Sequence, residues 1–242
     1  MTNRFVHLTP RLSAALEMLR GYEAVADIGC DHGRLTAALL QTGACAKVIA
    51  VDISEPSLQK ARNLLNRIGL AGRVSFRCGD GLSVIKEREC DAIAILGMGG
   101  TLMCRILEDR RSEAFDVKAI VFQPMRAQDD IRRYLYKNCY HITEDRIVTD
   151  HGRYYQVFKA IPETEPEILP IGFPKDFFDV GYRSFADRDP HLAALCRQQL
   201  TFHREMLKDA RGTEGEQRLQ TKIDALQSIL KRIEKSEQNE IE

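Results

Sequence analysis

The feature that most constrains this chain is the alternation of short apolar runs with amphipathic stretches over its first 160 residues or so. Five runs, at 24–28, 47–51, 74–78, 92–96 and 119–122, are nearly continuous in apolar residues, as strands covered on both faces must be. Helices are predicted among them: one from Thr9-Pro10 through Leu12, Leu16 and Leu19, then 33–40, 56–68 with Ser54 as N-cap, 99–107 and 128–137. This alternation builds βαβ units and hence a doubly wound parallel sheet. Two further strands, 141–148 and 154–160, have only a short Asp150-His151-Gly152 turn between them and are expected to pair as an antiparallel hairpin.

Beyond Ile161 the pattern changes. We expect one domain over 1–162, a connecting segment over 163–189 and a helical hairpin over 190–242. Leu219, Ile223, Leu226, Leu230 and Ile233 follow a heptad seam, with Leu192, Leu195, Phe202 and Met206 expected to face them. Gln199 interrupts that second stripe.

The chemistry gathers where the strands end. Asp27-Ile28-Gly29-Cys30-Asp31-His32-Gly33 follows the first strand, where glycines let backbone amides and a helix N-terminus approach a ligand. It lacks the third glycine of a pyrophosphate-binding loop, and its acids would repel phosphates. A zwitterionic sulfonium amino acid suits it better, with amides on its carboxylate and acids offsetting its cations. Asp52, followed by Ile53, ends the second strand 23 residues after Gly29, where an acid accepts from ribose hydroxyls; a helix cap is the alternative. Asp80-Gly81 ends the third, where a carboxylate can accept from an adenine amino group or simply close a turn. The fourth strand runs into Gly97-Met98-Gly99-Gly100 and the fifth into Gln123-Pro124-Met125. Together these ends outline one crevice for S-adenosylmethionine.

With Leu8-Thr9-Pro10-Arg11-Leu12, these motifs resemble, in order, the bacterial TrmK family of tRNA (adenine-N1)-methyltransferases. The resemblance implies a class I methyltransferase fold: a Rossmann-like doubly wound sheet of seven strands, the last pair an antiparallel hairpin, followed by a C-terminal helical coiled coil. It implies methyl transfer to N1 of the adenine at position 22 of tRNA. The cofactor-binding set is then Asp27, Gly29, Cys30, Asp31, His32, Asp52, Ile53, Asp80, Gly81 and Gly97. Asp31, Gly97, Met98, Gly99 and Gly100 lie at the reacting methyl, with Asp31 facing the charge that develops on the base. His32 is open between stacking, bonding the cofactor and capping the helix. Arg11, Arg34, Gln123, Arg126, Arg132 and Arg133 would face RNA, joined by Arg4. Four positions depart from the family's usual residues: Cys30 for Ser, Gly33-Arg34 for Ala-Tyr, and Met125 for Asn.

Net charge is zero, with 35 basic and 35 acidic side chains, so an RNA partner needs local segregation of charge rather than a basic total. Seven dispersed cysteines without a Cys-x-x-Cys pair fit reduced thiols, and the scattered histidines predict no metal site. No run reaches membrane-span length and no signal-peptide pattern is seen. A cytoplasmic protein is expected, with no membrane partner and a monomer favoured. The competing readings are a class I methyltransferase for a protein or small molecule, and a non-catalytic nucleotide-binding adaptor.

Overall fold

The computed structural model describes residues 5–109 and 117–239; Arg4 lies outside them. Two units make up the chain, Met1–Glu167 and Ile168–Glu242.

In the first unit seven strands form one sheet: β1 (Ala24–Ile28), β2 (Lys47–Asp52), β3 (Val74–Cys78), β4 (Ala92–Gly99), β5 (Ala119–Arg126), β6 (Tyr140–Asp150) and β7 (Arg153–Pro162), in the order β3-β2-β1-β4-β5-β7-β6. The first five pair in parallel, while β7 runs antiparallel to both β5 and β6. The order reverses between β1 and β4, so their carboxyl ends diverge and open a crevice there. The apolar runs behave as expected: β1 is buried throughout, as are the first four residues of β4.

The helices are α1 (Pro10–Met18), α2 (Arg34–Gln41), α3 (Glu55–Arg67), α4 (Gly100–Glu108) and α5 (Gln128–Lys137). Ser54 caps α3 as expected, its Oγ accepting from the Ser57 amide at 3.3 Å. One link differs from regular alternation. No helix joins β3 to β4; turns do, anchored by buried Leu82 and Ile85 and by the Arg77–Glu89 ion pair. The Arg77 hydrogen bonds pull the Glu89 carboxyl down to about 2.

α5 corrects one expectation. Arg132, expected to face RNA, is fully buried, with Nη2 donating to both Asp145 oxygens at 2.8 and 3.1 Å and its guanidinium 4.4 Å from the Phe158 ring centre. It ties α5 to the β6–β7 hairpin and is closed to nucleic acid.

The second unit contains α6 (Tyr182–Ala186), α7 (Leu192–Asp209) and α8 (Glu214–Asn239), and part of the expected connecting segment belongs to its core. Phe173, Phe178 and Tyr182 are buried and stack edge-on in two pairs, Phe173–Tyr182 and Phe178–Tyr182. On α8, Ile223 and Leu226 are buried as the heptad predicts, but so is Ile229, which lies outside that seam, while Leu219, Leu230 and Ile233 are half-buried. On α7 the stripe is rotated: Leu192, Leu195, Cys196, Leu200 and His203 are buried, whereas Phe202 and Met206 are exposed. Asp179 accepts from Lys222 at 2.6 Å and lies 3.9 Å from His203, which shares the buried face with Leu195, Cys196 and Leu200. Among the described residues no helix is long and apolar enough to cross a membrane.

Candidate active site

A cavity of about 760 Å³ opens at the carboxyl edge of the sheet, within the range that holds a cofactor-sized molecule. All ten residues expected to bind the cofactor border it, along with Met98, Arg11, Arg34 and Gln123. Gly99, Gly100, Arg126 and Arg133 do not. Gly100 is buried against the start of α5, where an added Cβ would come within 1.9 Å of the Ala127 carbonyl oxygen. Gly99 packs beside the Arg126 side chain.

The loop after β1 is folded by its own backbone. The Gly29 and Cys30 amides donate to the Val51 carbonyl at 2.8 and 2.9 Å, and Gly33 donates to Cys30 at 2.8 Å. The Asp31 amide donates to Asp52 Oδ2 at 3.0 Å. These four amides are therefore committed within the protein rather than offered to a ligand. What the loop presents is its side chains and the N-terminus of α2. Gly33 is needed for two reasons: its φ is +70°, and a Cβ there would meet Ala61 Cβ at 2.8 Å.

Asp27 is 4% exposed and accepts from Thr36 Oγ at 2.7 Å. Burial pushes its carboxyl up to about 6, opposed by the Thr36 hydrogen bonds and helped slightly by the Asp52 charge. A carboxyl raised in this way is held protonated more firmly in the folded state than in the unfolded chain. Its contribution to stability is thus full below about pH 4 and is lost as pH rises through about 6. The expected result is that Asp27→Asn flattens that part of the profile: the melting-temperature difference between wild type and variant should change between pH 4 and 6 and stay constant above 7. An unchanging difference across the range would reject the assignment.

Asp52 spends one lone pair of each oxygen inside the protein, on the Asp31 amide and on the Ser54 amide at 2.9 Å. Each oxygen keeps acceptor capacity toward the cavity. Asp80 is exposed, and its backbone carbonyl takes the Ser83 hydroxyl at 2.6 Å, so the turn is closed by backbone and the carboxylate is left to the cavity edge. Asp31 has an unusual φ of +48° and stands on the rim, 3.5 Å from His32 Nε2, which in turn lies 3.2 Å from Lys60 Nζ. His32 does not cap α2, whose N-cap is Gly33 without a side-chain bond; it joins a charged rim with α3. Cys30 is buried beneath the loop, where desolvation pushes its thiol up. Cys78, at the end of β3, is the one exposed cysteine of the seven, with its sulfur 3.6 Å from the Ile53 carbonyl.

Met98 crosses this loop. Its terminal methyl lies 2.2 Å from where a Cβ on Gly29 would stand, so Gly29 makes room for the thioether. On the far wall Gln123 is buried at 2% exposure and donates to the Pro124 carbonyl at 3.2 Å. Leu102 and Ile106 of α4 also line the cavity and were missed by sequence reasoning. Their signal was only the helical apolar spacing that any core helix carries.

A methyltransferase-domain family profile matches residues 8–158. The tRNA (adenine(22)-N(1))-methyltransferase of Bacillus subtilis is 34% identical over 153 residues, which is 63% of this chain and 64% of that protein. The match thus spans slightly less than two thirds of that relative's length. The crystal structure of the B. subtilis m1A22 tRNA methyltransferase TrmK superposes with a TM-score of 0.80 at 26% identity, covering 93% of this chain and 99% of that one. A Listeria monocytogenes protein described as uncharacterized gives 0.82 at 24% identity, covering 93% and 100%. The Mycoplasma capricolum TrmK, solved with S-adenosylhomocysteine, gives 0.75 at 19% identity, covering 94% and 98%; at these last two identities the likeness is one of fold.

Proposed function

Because the chain belongs to the methyltransferase-domain family, in its TrmK branch, we propose that it uses S-adenosylmethionine to methylate N1 of an adenine in tRNA, at position 22. The observation that carries this reading is the convergence of Asp27, Asp52 and Asp80 on one cavity across three adjacent strand ends.

The donor set suits the cofactor. Asp52 has acceptor capacity for a ribose diol, Asp80 offers a carboxylate to an adenine amino group, and Asp27 supplies a buried acid near the cationic end. Arg34, at the start of α2 and lining the cavity, provides a positive group for the carboxylate, a role that the committed loop amides leave open. The bound cofactor supplies an electrophilic methyl on a positively charged sulfur.

The remaining work is positional. N1 of neutral adenine carries a lone pair and no proton, so the protein need not remove one; orientation and exclusion of water supply the acceleration. Met98 and Leu96, both on the cavity wall, provide an apolar edge where a flat base can lie. N1 is on the pairing edge, so the target must be unpaired or flipped out of its stack to reach this wall. Gln123 offers a carboxamide to that edge. Asp31 can offset the positive charge that the methylated base acquires, being a carboxylate on the rim of the same cavity. Arg126, exposed at the end of β5, is assigned to the RNA backbone.

The test is transfer of labelled methyl groups to tRNA followed by mass spectrometry of the digested nucleosides. The expected product is 1-methyladenosine. Label in protein or metabolites but none in tRNA would overturn the reading, and binding of the cofactor without any turnover would favour the adaptor.

A further inference from the structure

The wall of the cavity nearest β5 carries a cation that the scheme above does not use. Arg11, in the first turn of α1, lays its guanidinium 5.0 Å from the centre of the Tyr155 ring and places Nε 3.8 Å from Asp150 Oδ2. Its Nη1 is 3.3 Å from the sulfur of Met125. A thioether is a weak acceptor, while a guanidinium has five donors arranged to grip an oxyanion. Among the described residues no stronger acceptor lies within hydrogen-bond distance of Arg11. The side chain is held on two sides, 29% exposed, and opens into the cavity.

We propose that Arg11 binds a backbone phosphate of the acceptor RNA next to the target base, and that Tyr155 and Asp150 are positioning residues that aim it. This rests on the tRNA reading. Strand order favours the acceptor over the cofactor's own carboxylate as the anion. The cofactor-facing acids end β1, β2 and β3, whereas Arg11 is fixed by β5, β6 and β7. At about 4.8 Å per strand, β5 and β7 stand roughly 10 and 14 Å from β1 across the sheet. Tyr155 presents a ring face that orients the planar fork, and Asp150, 9% exposed at the end of β6, pairs with its Nε side at 3.8 Å, beyond hydrogen-bond distance. The Nη edge is thereby left toward the cavity.

The experiment compares wild type with Arg11→Gln, Tyr155→Leu and Tyr155→Phe, measuring kcat and KM for tRNA and calorimetric binding of S-adenosylhomocysteine. Arg11→Gln should raise KM about tenfold or more while kcat moves only a few-fold, as loss of one charge-assisted contact predicts. S-adenosylhomocysteine affinity should hold, and the slope of log affinity for tRNA against log salt should flatten by about one. Tyr155→Leu should shift KM the same way and Tyr155→Phe should restore it, because the ring face is what counts. If Arg11→Gln does not fold, Arg11→Lys keeps the charge without the fork and should fall between. An unchanged KM and salt slope would overturn the proposal, and so would a parallel loss of S-adenosylhomocysteine binding, which would assign Arg11 to the cofactor. Equal damage from both Tyr155 variants would remove the positioning role. Wild-type protein that transfers no methyl to tRNA would take the reading and this proposal down together, a result distinct from the others.

Discussion

Asp52→Ala should reduce affinity for S-adenosylhomocysteine at least about 100-fold, since two charge-assisted hydrogen bonds to a diol are each worth about 1.5–3 kcal/mol. The same substitution also strips the acceptor from the Asp31 and Ser54 amides, so the loop after β1 and the entry to α3 lose their common anchor. Because Ser54 keeps its own cap bond to Ser57, α3 should persist and the fold should survive. Calorimetry on folded variant is therefore a fair measurement. Affinity within threefold of wild type would mean that Asp52 is a loop staple and nothing more. Asp52→Asn separates the two jobs: its single carboxamide oxygen can keep one of the two amide bonds but brings no charge to the sugar.

The second large effect is on stability. Asp145→Ala should lower stability by about 3–5 kcal/mol, the cost of leaving a buried charge without its partner. For a chain of this size that corresponds to a melting temperature lower by roughly 6–20 °C. Arg132 and Asp145 have fully buried side chains, and Arg132 Nε and Nη1 find no hydrogen-bond acceptor among the described residues, so no water-exposed route relieves the stranded guanidinium. Replacing both, as Arg132→Met with Asp145→Leu, should recover most of the loss because the Phe158 ring already provides an apolar neighbour. A single variant that melts within 2 °C of wild type by calorimetry would contradict this account.

Arg132 also shows where sequence reading stops. The strand ends were legible because an apolar run breaks off visibly at Asp27, Asp52 and Asp80, and the parallel topology then carries all three to one edge. The charge at 132 gave no such sign. It lies in an Asp-Asp-Ile-Arg-Arg stretch that looks solvated, and what buries it is Asp145 on another element and an aromatic ring 26 residues away. The two positions 132 and 133 differ only in which side of α5 they occupy, and Ile131 and Leu135 set that face too loosely to decide between them. Gly99 and Gly100 read as open backbone for a ligand, yet Gly100 is small because α4 and the start of α5 touch there. In the helical hairpin the α8 seam was readable at Ile223 and Leu226 but not at Ile229, and the α7 face runs through Leu195, Cys196, Leu200 and His203 rather than Phe202 and Met206. For Arg132 the missing information is a long-range polar contact and for Gly100 a close backbone approach, and neither leaves a periodic trace.

The uneven accessibility of the thiols offers a practical handle. Cys90 and Cys196 are buried with their thiols pushed up to about 12, and Cys104 is likewise raised by its surroundings, so all three resist alkylation at neutral pH. Cys78 alone is exposed, against the carbonyl of Ile53, which lines the cavity. A maleimide dye should attach there first, giving a fluorescence probe that reports filling of the neighbouring cleft without any engineered residue.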